Sequence, residues 1–477
     1  MSRGKNDMIR TRFAPSPTGY LHIGGLRTAL YSYLYAKKNG GKFILRLEDT
    51  DTEREVVGAA EVIYKTLKEA GVIYDEGPDV GGKYAPYVQS QRKSTYLPFA
   101  QKLVENGGAY YCFCSAERLE EMRKTGATKY DKCCSKLKKA EVANKLKANT
   151  PYVIRQNIPE NGSSIYTDLV FGEIKVDNKD LEDGILIKSD GMPTYNFANV
   201  IDDYTMDINV VMRGVEYLDQ TAKYNHIYKG LGWDLPLYVH MQPIMKDAKQ
   251  KLSKRHGDAS FSDFVNKGFL PEAIENYIAL LGWTPGDNKE KLTLSEMETM
   301  FAIENLSKSP SIFDEEKMRW LNSLYIRELD SEKFYELAKP FLEKLDYLKG
   351  LDLKYLASLL QGRCEVLSDV AKLTSFITEF ENFDLALFEN AKWKTDKALA
   401  KKMLPDLKKI VETKFDDLNT AIEEYAAANG YKKGQVLWIF RIAITGSLMT
   451  PGGAGEMAKL LSKEECEKRL KIVVDRL

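Results

Sequence analysis

The chain has 477 residues, 44% of them hydrophobic, and its 69 basic residues balance 69 acidic ones. That length exceeds a single core and predicts three to five units of roughly 100–150 residues each. No apolar run approaches the ~20 residues that a bilayer span requires, and neutrality removes the globally basic surface that marks many nucleic-acid binders, though basic residues can still be confined to one face. The N-terminus lacks the apolar stretch of a secretory signal, so a soluble cytoplasmic protein is expected. In chain order, Met8 to Phe13 reads as a short strand carrying Arg10 and Arg12, which Pro15, Pro17 and Gly19 terminate. Leu26, Ala29, Leu30, Tyr33 and Leu34 then recur at helical spacing. A second strand, Phe43 to Leu47, runs into Glu48-Asp49-Thr50-Asp51. This is one βαβ unit, with polar residues at the carboxyl ends of its strands, where open α/β sheets bind ligands. His22 and the glycines after it sit at a helix start, where N–H groups and the helix dipole favour phosphate.

A helix over Val56 to Ala70 and a Gly/Pro-rich passage from Gly77 to Pro86 follow. Residues 89–192 mix a helix, Ser94 to Gly107, with short β-like stretches such as Tyr152 to Arg155 and Ile185 to Lys188, and read as an insertion. The passage Asp190 to Asp203 restores the helix–strand alternation, followed by the strand Asn209 to Arg213 and the helix Gln220 to Gly230. Beyond Lys254 the strands are expected to vanish; Leu270 to Gly282 is an amphipathic helix with Pro in its first turn and Gly at its end. From about Asp330 onward the spacing is helical. The expected fold is therefore α/β, a Rossmann-like nucleotide-binding fold split by an α+β insertion and followed by an all-α C-terminal half. The expected divisions are 1–88 and 193–243 for the two catalytic halves, 89–192 for the insertion, 244–328 for a connecting domain and 329–477 for the helical domain. Lys392, Lys394, Lys397, Lys401, Lys402, Lys408 and Lys409 form a local basic cluster, readable as an RNA-facing patch or as a solvated helix face.

Two motifs carry the chemistry. The string Arg12-Phe-Ala-Pro-Ser-Pro-Thr-Gly-Tyr-Leu-His-Ile-Gly-Gly25, with Arg46-Leu-Glu-Asp-Thr-Asp51 behind it, resembles the HIGH signature of class I aminoacyl-tRNA synthetases in the form used by bacterial-type glutamyl-tRNA synthetases. Lys251-Leu-Ser-Lys-Arg255 places three cations within five residues, suited to the charge growing on departing pyrophosphate. It resembles the KMSKS loop of the same class. The resemblance implies ATP contacts from Pro15, Thr18, His22, Gly24, Lys251, Ser253 and Lys254, with His22, Gly24 and Lys254 carrying catalysis. It implies a glutamate pocket of Arg12, Ala14, Ser16, Glu48, Tyr195, Asn199 and Arg213. The physics agrees with that set: glutamate brings one ammonium and two carboxylates, and a guanidinium fork suits a carboxylate. Arg213, at the end of an apolar strand, would be costly to bury without a partner.

Six cysteines do not make a disulfide framework, yet four fall between Cys112 and Cys134. Cys112, Cys114, Tyr130 and Cys134 resemble the zinc-binding insert of some glutamyl-tRNA synthetases. Cys133 competes with Cys134 for the third thiolate place, and ordinary free cysteines are the other reading. In the C-terminal half the resemblance implies a module that contacts the inner tRNA stem and a helical anticodon-binding part, with Arg363 as a candidate reader. The expected activity is glutamate–tRNA ligation with ATP and Mg2+, on tRNA(Glu) and, in non-discriminating members, tRNA(Gln) as well, by a monomer. A catalytically silent tRNA-binding protein would not need His22, Lys254, Glu48 and Arg213, all of which are present.

Overall fold

The structure, a computed structural model, describes residues 8–17, 19, 21–50, 56–252, 260–287, 289–378, 380 and 383–477. These fall into two compact units, Met1–Phe264 with Pro271–Glu315, and Val265–Leu270 with Glu316–Leu477.

In the first unit, β1 (Arg10–Phe13) and β2 (Lys42–Leu45) pair in parallel, joined by α1 (Ile23–Lys38). The strand is less apolar than a core strand usually is, because Arg10, Thr11 and Arg12 are all buried. Each has a partner: Arg10 bonds both oxygens of Glu76 (2.8 and 3.1 Å), the Thr11 hydroxyl donates to the Ser32 carbonyl (2.7 Å), and Arg12 reaches Asp203. Parallel bridges from Ile44 to Glu76 and Leu47 to Val88 extend the outer edge of β2. The helix α2 (Ala59–Glu69) packs Ile63 and Leu67 inward.

The segment between the catalytic halves contains α3 (Lys93–Glu105), β3 (Ala109–Cys112), α4 (Ala116–Lys124), α5 (Lys139–Lys147), β4 (Val153–Gln156), the hairpin β5 (Ser163–Asp168) and β6 (Gly172–Asp177), and β7 (Ile185–Ile187). Strands β3, β4 and β7 form a small antiparallel sheet. The catalytic pattern resumes with α6 (Tyr195–Thr205), β8 (Val210–Gly214), α7 (Thr221–Leu231) and β9 (Leu237–Met241). Asn209 ties β8 to the free edge of β1: its N–H donates to the Arg10 carbonyl (3.1 Å) and its Oδ1 accepts the Arg10 N–H (2.8 Å). Strands β8 and β9 pair in parallel, and β9 is flanked by the hairpin through Asp168 and Tyr238. The insertion is thus grafted onto the catalytic sheet, giving the order β6-β5-β9-β8. Tyr96 and Leu103 of α3, Ile154, Leu186, Phe197 and Ile201 of α6, and Tyr224 and Ile227 of α7 share one core, so the two parts bury apolar surface together.

Strands do not end at Lys254 as the sequence pattern suggests. The short β10 (Ile244–Met245) pairs in parallel with β11 (Ser311–Ile312). The intervening chain holds α8 (Phe261–Asn266), α9 (Pro271–Leu280) and α10 (Leu294–Met300). A two-residue strand leaves no alternating pattern to read, which is why the sequence does not reveal β11.

The second unit is helical: α11 (Glu315–Glu328) leads into α12 (Ser331–Leu342), α13 (Leu353–Leu360), α14 (Asp369–Thr374), α15 (Lys397–Lys414), α16 (Leu418–Ala428), α17 (Lys433–Thr445), α18 (Ala454–Leu461) and α19 (Lys463–Arg476). Helix α15 buries Ala400, Met403, Leu404, Leu407 and Val411 at three- and four-residue spacing, as an amphipathic helix does. Part of the lysine cluster is on its other face, where Lys408 pairs with Glu412 and Lys402 lies over the Tyr431 ring. No helix among the described residues is long and apolar enough to cross a membrane.

Candidate active site

His22 is the N-cap of α1, and its Nδ1 accepts the Gly24 N–H at 3.0 Å. A Cβ at Gly24 would come within 3.3 Å of that nitrogen, so the cap geometry favours glycine there. The Gly24 N–H is therefore engaged by the cap, whereas a helix start read from sequence leaves it open. Around this helix start, His22, Gly24, Gly214, Gln242, Ile244 and Lys251 are among the residues lining a cleft of about 270 Å³. Lys251 is exposed at the end of a hairpin in which the Leu252 N–H donates to the Ile244 carbonyl (3.1 Å) and Asp247 caps the turn through the N–H groups of Lys249 and Gln250. Thr18, Ser253 and Lys254 lie outside the described residues.

The residues expected from the sequence to bind the amino acid include two contrasting charges, Glu48 and Arg213. Glu48 is buried; its Oε1 accepts from Arg46 (2.8 Å) and Gln89 (3.3 Å), and its buried Oε2 has no hydrogen-bond partner among the described residues. Burial pushes its carboxyl up to about 7 against the opposing pull of Arg46. Pro15 contributes through its carbonyl, which accepts the Glu48 N–H at 3.0 Å and so fixes the turn against the acid. Ala14 is partly buried and Ser16 exposed on the same turn.

Arg213 is the opposite case. Its Nε donates to His240 Nε2 (3.2 Å) and its Nη2 to the Thr221 hydroxyl (2.7 Å), and the guanidinium lies over the rings of Tyr217, Tyr224 and Tyr238 at 4.7–5.7 Å. It is only 7% exposed, yet among the described residues no carboxylate pairs with it. Tyr195 packs on Tyr217, with ring centroids 6.1 Å apart. Burial raises its hydroxyl well above the ordinary value, and the nearby Glu48 carboxylate adds to the effect. Asn199, one helical turn on, donates to the Tyr195 carbonyl (3.1 Å). Burial raises the Tyr224 hydroxyl to about 12; the nearby Arg213 cation opposes the shift and the Glu48 carboxylate adds to it.

Arg12 sits differently from a ligand-facing arginine. Its Nε bonds Asp203 (3.1 Å) and its Nη1 the Met212 carbonyl (3.1 Å). Asp203 also takes Arg46 (2.8 Å), while Asp202 takes Arg92 (2.7 Å), Gln89 (2.9 Å) and Tyr96 (2.9 Å). Burial alone would raise the Asp203 carboxyl, but Arg12 and Arg46 together hold it below the usual range. Sequence reasoning missed Gln89, Asp202, Asp203, His240 and Asp168; the only local signal was a pair of adjacent acids inside the apolar α6.

The cysteine segment converges as expected. The sulfurs of Cys112, Cys114 and Cys134 lie within 4.8 Å of one another, and the Tyr130 hydroxyl is 3.3 Å from those of Cys112 and Cys114. Arg155 donates to Cys112 (3.4 Å) and Arg118 to Cys114 (3.3 Å). Cys133 is 3.5 Å from Cys114 but outside the mutually close set.

In the second unit Arg363 is exposed and near Arg441, whose pKa is lowered by burial and by that like charge. Arg441 stacks over Trp438 at 4.9 Å.

Comparison with known proteins accounts for both units. The family described as "tRNA synthetases class I (E and Q), catalytic domain" matches residues 8–320, and "Anticodon binding domain" matches residues 333–474. The glutamate–tRNA ligase of Clostridium botulinum (strain Eklund 17B / Type B) is 52% identical over 97% of this chain and 98% of its own length. That of Clostridium acetobutylicum is 50% identical over 98% of this chain and 99% of its own. The crystal structure of a glutamate tRNA ligase from Elizabethkingia meningosepticum in complex with its amino acid superposes with a TM-score of 0.87 at 33% identity, covering 98% of this chain and 99% of that one. The chain belongs to the glutamate–tRNA ligase family of class I aminoacyl-tRNA synthetases.

Proposed function

We propose that this chain activates glutamate with ATP and transfers it to the 3′ end of tRNA(Glu). The observation that carries the reading is the contrast, among the described residues, between a buried Glu48 carboxylate oxygen with no hydrogen-bond partner and a buried Arg213 guanidinium that lacks a carboxylate. A buried cation without a counter-ion and a buried carboxylate oxygen without a donor are both costly, and glutamate supplies both complements. Its ammonium goes to Glu48 Oε2 and its γ-carboxylate to Arg213. Tyr195 and Asn199 wall the pocket, and Arg12 acts from beneath it by holding Asp203, so its contact with glutamate is indirect. The α-carboxylate then faces the cleft at the start of α1. There it attacks the α-phosphorus of ATP in line, expelling pyrophosphate. The terminal 2′-hydroxyl of the tRNA next attacks the glutamyl carbonyl and expels AMP. No protein nucleophile is needed; positioning and charge complementarity by His22, Lys251 and, by resemblance, Lys254 supply the rate. Magnesium bound with ATP neutralises part of the triphosphate charge.

The cysteine cluster fits one structural zinc. Zinc–sulfur bonds of about 2.3 Å set tetrahedral sulfurs about 3.8 Å apart, a spacing the three thiols can adopt with small shifts. Cys112, Cys114, Cys134 and Tyr130 would hold it, with Arg155 and Arg118 donating to the thiolates. Elemental analysis of untagged protein should give about one zinc per chain, and a value near zero in active enzyme would leave free cysteines. Arg363 and Arg441, with Trp438 beneath the latter, offer the cation and ring on which splayed anticodon bases stack.

Aminoacylation of tRNA(Glu) and tRNA(Gln) transcripts with radiolabelled glutamate tests the function. Glutamate should be charged onto tRNA(Glu) in an ATP-dependent reaction, and charging of tRNA(Gln) alongside would make the enzyme non-discriminating. No charging of either RNA would reject the proposal.

A further inference from the structure

Arg213 is held from behind by a buried pair of side chains that no motif announces. His240 is its direct register partner on the neighbouring parallel strand, so both project to the same face. Asp168, at the end of β5, is joined to β9 through Tyr238, two residues before His240. His240 Nδ1 lies 2.7 Å from Asp168 Oδ2, and the side chains of both are 0% exposed. The same carboxylate oxygen accepts the His240 backbone N–H (3.0 Å), and Oδ1 accepts those of Val170 and Phe171 (2.9 Å each).

This arrangement fixes a tautomer. A carboxylate only accepts, so the proton of a neutral imidazole resides on Nδ1 and Nε2 is left as an acceptor. Nε2 is the atom that receives Arg213 Nε–H. Thr221 Oγ1 receives Nη2–H while donating to the Tyr217 carbonyl (2.8 Å). Two neutral acceptors therefore orient the guanidinium, and the described residues supply no partner for its remaining nitrogen, Nη1. An aspartate in place of His240 would orient the arginine equally well but would neutralise it and compete with any incoming carboxylate. The three tyrosine faces stabilise the cation without discharging it.

We propose that His240, fixed in its Nδ1–H tautomer by Asp168, is a positioning residue that aims Arg213 at the substrate's side-chain carboxylate while leaving its charge uncompensated, and so sets the preference for glutamate over glutamine. The inference rests on the assignment of Arg213 to the γ-carboxylate. A purely structural role is the rival, since Asp168 and His240 also sit where the insertion hairpin joins the catalytic sheet. The two differ in what they do to individual kinetic constants.

The test is steady-state aminoacylation of tRNA(Glu) by the full chain, reading kcat, KM for glutamate, KM for ATP and the inhibition constant of glutamine. His240→Leu removes the acceptor and should raise the glutamate KM about tenfold or more, the loss expected for a charge-assisted hydrogen bond. The ATP KM, kcat and glutamine constant should stay within about threefold. His240→Gln restores an oxygen acceptor that needs no tautomer control and should recover most of the loss. Asp168→Asn should raise the glutamate KM in the natural background but add nothing to His240→Gln, a non-additivity that a shared route to Arg213 requires. Melting curves of each variant confirm folding, and His240→Gln keeps the test alive if Asp168→Asn is unstable. An unchanged glutamate KM in His240→Leu, or parallel losses in every constant, would overturn the inference. Arg213→Met, run alongside, separates the two readings. If it leaves glutamate KM and selectivity unchanged, the γ-carboxylate assignment itself fails. If it abolishes selectivity while the His240 variants do not, only the role of the dyad fails.

Discussion

Arg46 and Arg213 are both buried guanidiniums in one unit, yet they have opposite surroundings. Arg46, fully buried, is enclosed by Glu48 and Asp203 at 2.8 Å and Asp202 at 4.0 Å. Burial alone would lower its pKa, but those three carboxylates raise it well above the ordinary value. Arg213 has a histidine nitrogen, a threonine hydroxyl and three aromatic faces instead. The difference teaches that burial of a charge does not by itself mark a binding site. A cation paired with a carboxylate is structural, whereas one whose partners are all neutral retains the capacity to pair with a ligand. The same rule divides Arg12, committed to Asp203, from Arg213, and it divides the two oxygens of Glu48.

The largest expected effect comes from breaking the paired region. Arg46→Met leaves Glu48 without its ion-pair partner, while Asp202 keeps Arg92 and Asp203 keeps Arg12, and should cost about 3–5 kcal/mol of stability, as removal of one partner from a buried ion pair does. Chemical denaturation measures it. A loss below ~1 kcal/mol would mean the network is not holding the floor of the site, since surface substitutions alone stay within about that range.

A second expectation sharpens the comparison through pH. Glu48 is raised from its ordinary 4.5 to about 7, chiefly by burial. It must be ionised to take an ammonium, so the glutamate KM should rise as pH falls through 7, approaching tenfold per unit below it. Arg46, Arg12, Gln89, Asp203 and Tyr195 face the same group. The stability sign is opposite to that of an acid whose pKa folding lowers, because burial here outweighs the pull of Arg46. Because the folded-state pKa is raised, the empty protein binds more protons than the unfolded chain between about pH 4.5 and 7, and this group makes it less stable as pH rises across that window. Glutamate at saturation should flatten the trend. A glutamate KM that is constant from pH 6 to 8 would remove Glu48 from ammonium recognition.

The smallest expected effect is the stability of Arg213→Met. Removing a cation that lacks a carboxylate partner should change folding free energy by no more than about 1 kcal/mol, in either direction, because desolvation offsets what the neutral contacts supply. A loss comparable to that of Arg46→Met would erase the contrast between the two sites.

Much of this was legible in the chain itself, and where it was not the reason is sequence separation. The strand, turn and helix over residues 10–38 followed from Pro15, Pro17, Gly19 and the helical spacing after Leu26. The expectation that Arg213 would need a partner came from its place at the end of an apolar strand. Its actual neighbours, His240 and Thr221, come from separate elements, and Asp168 from the insertion, so no local pattern reports them. Reading residues 89–192 as an insertion concealed the hairpin that joins the sheet beside β9. A boundary drawn from composition does not register a single parallel bridge. The strand pair β10 and β11 was missed because two residues carry no period.

The most direct test of glutamate recognition by opposed, unpartnered charges is the ratio of kcat/KM for glutamate to that for glutamine, measured on tRNA(Glu) with the natural chain and with Arg213→Met. A site built around a buried charged contact can reject the analogue lacking it by ~10⁴-fold or better. The natural chain should therefore show a large preference, and Arg213→Met should lose at least ~10–100-fold of it through the glutamate term, in line with a charged hydrogen bond of ~1.5–3 kcal/mol. An Arg213→Met enzyme that keeps the natural preference, with glutamate KM unchanged, would contradict it.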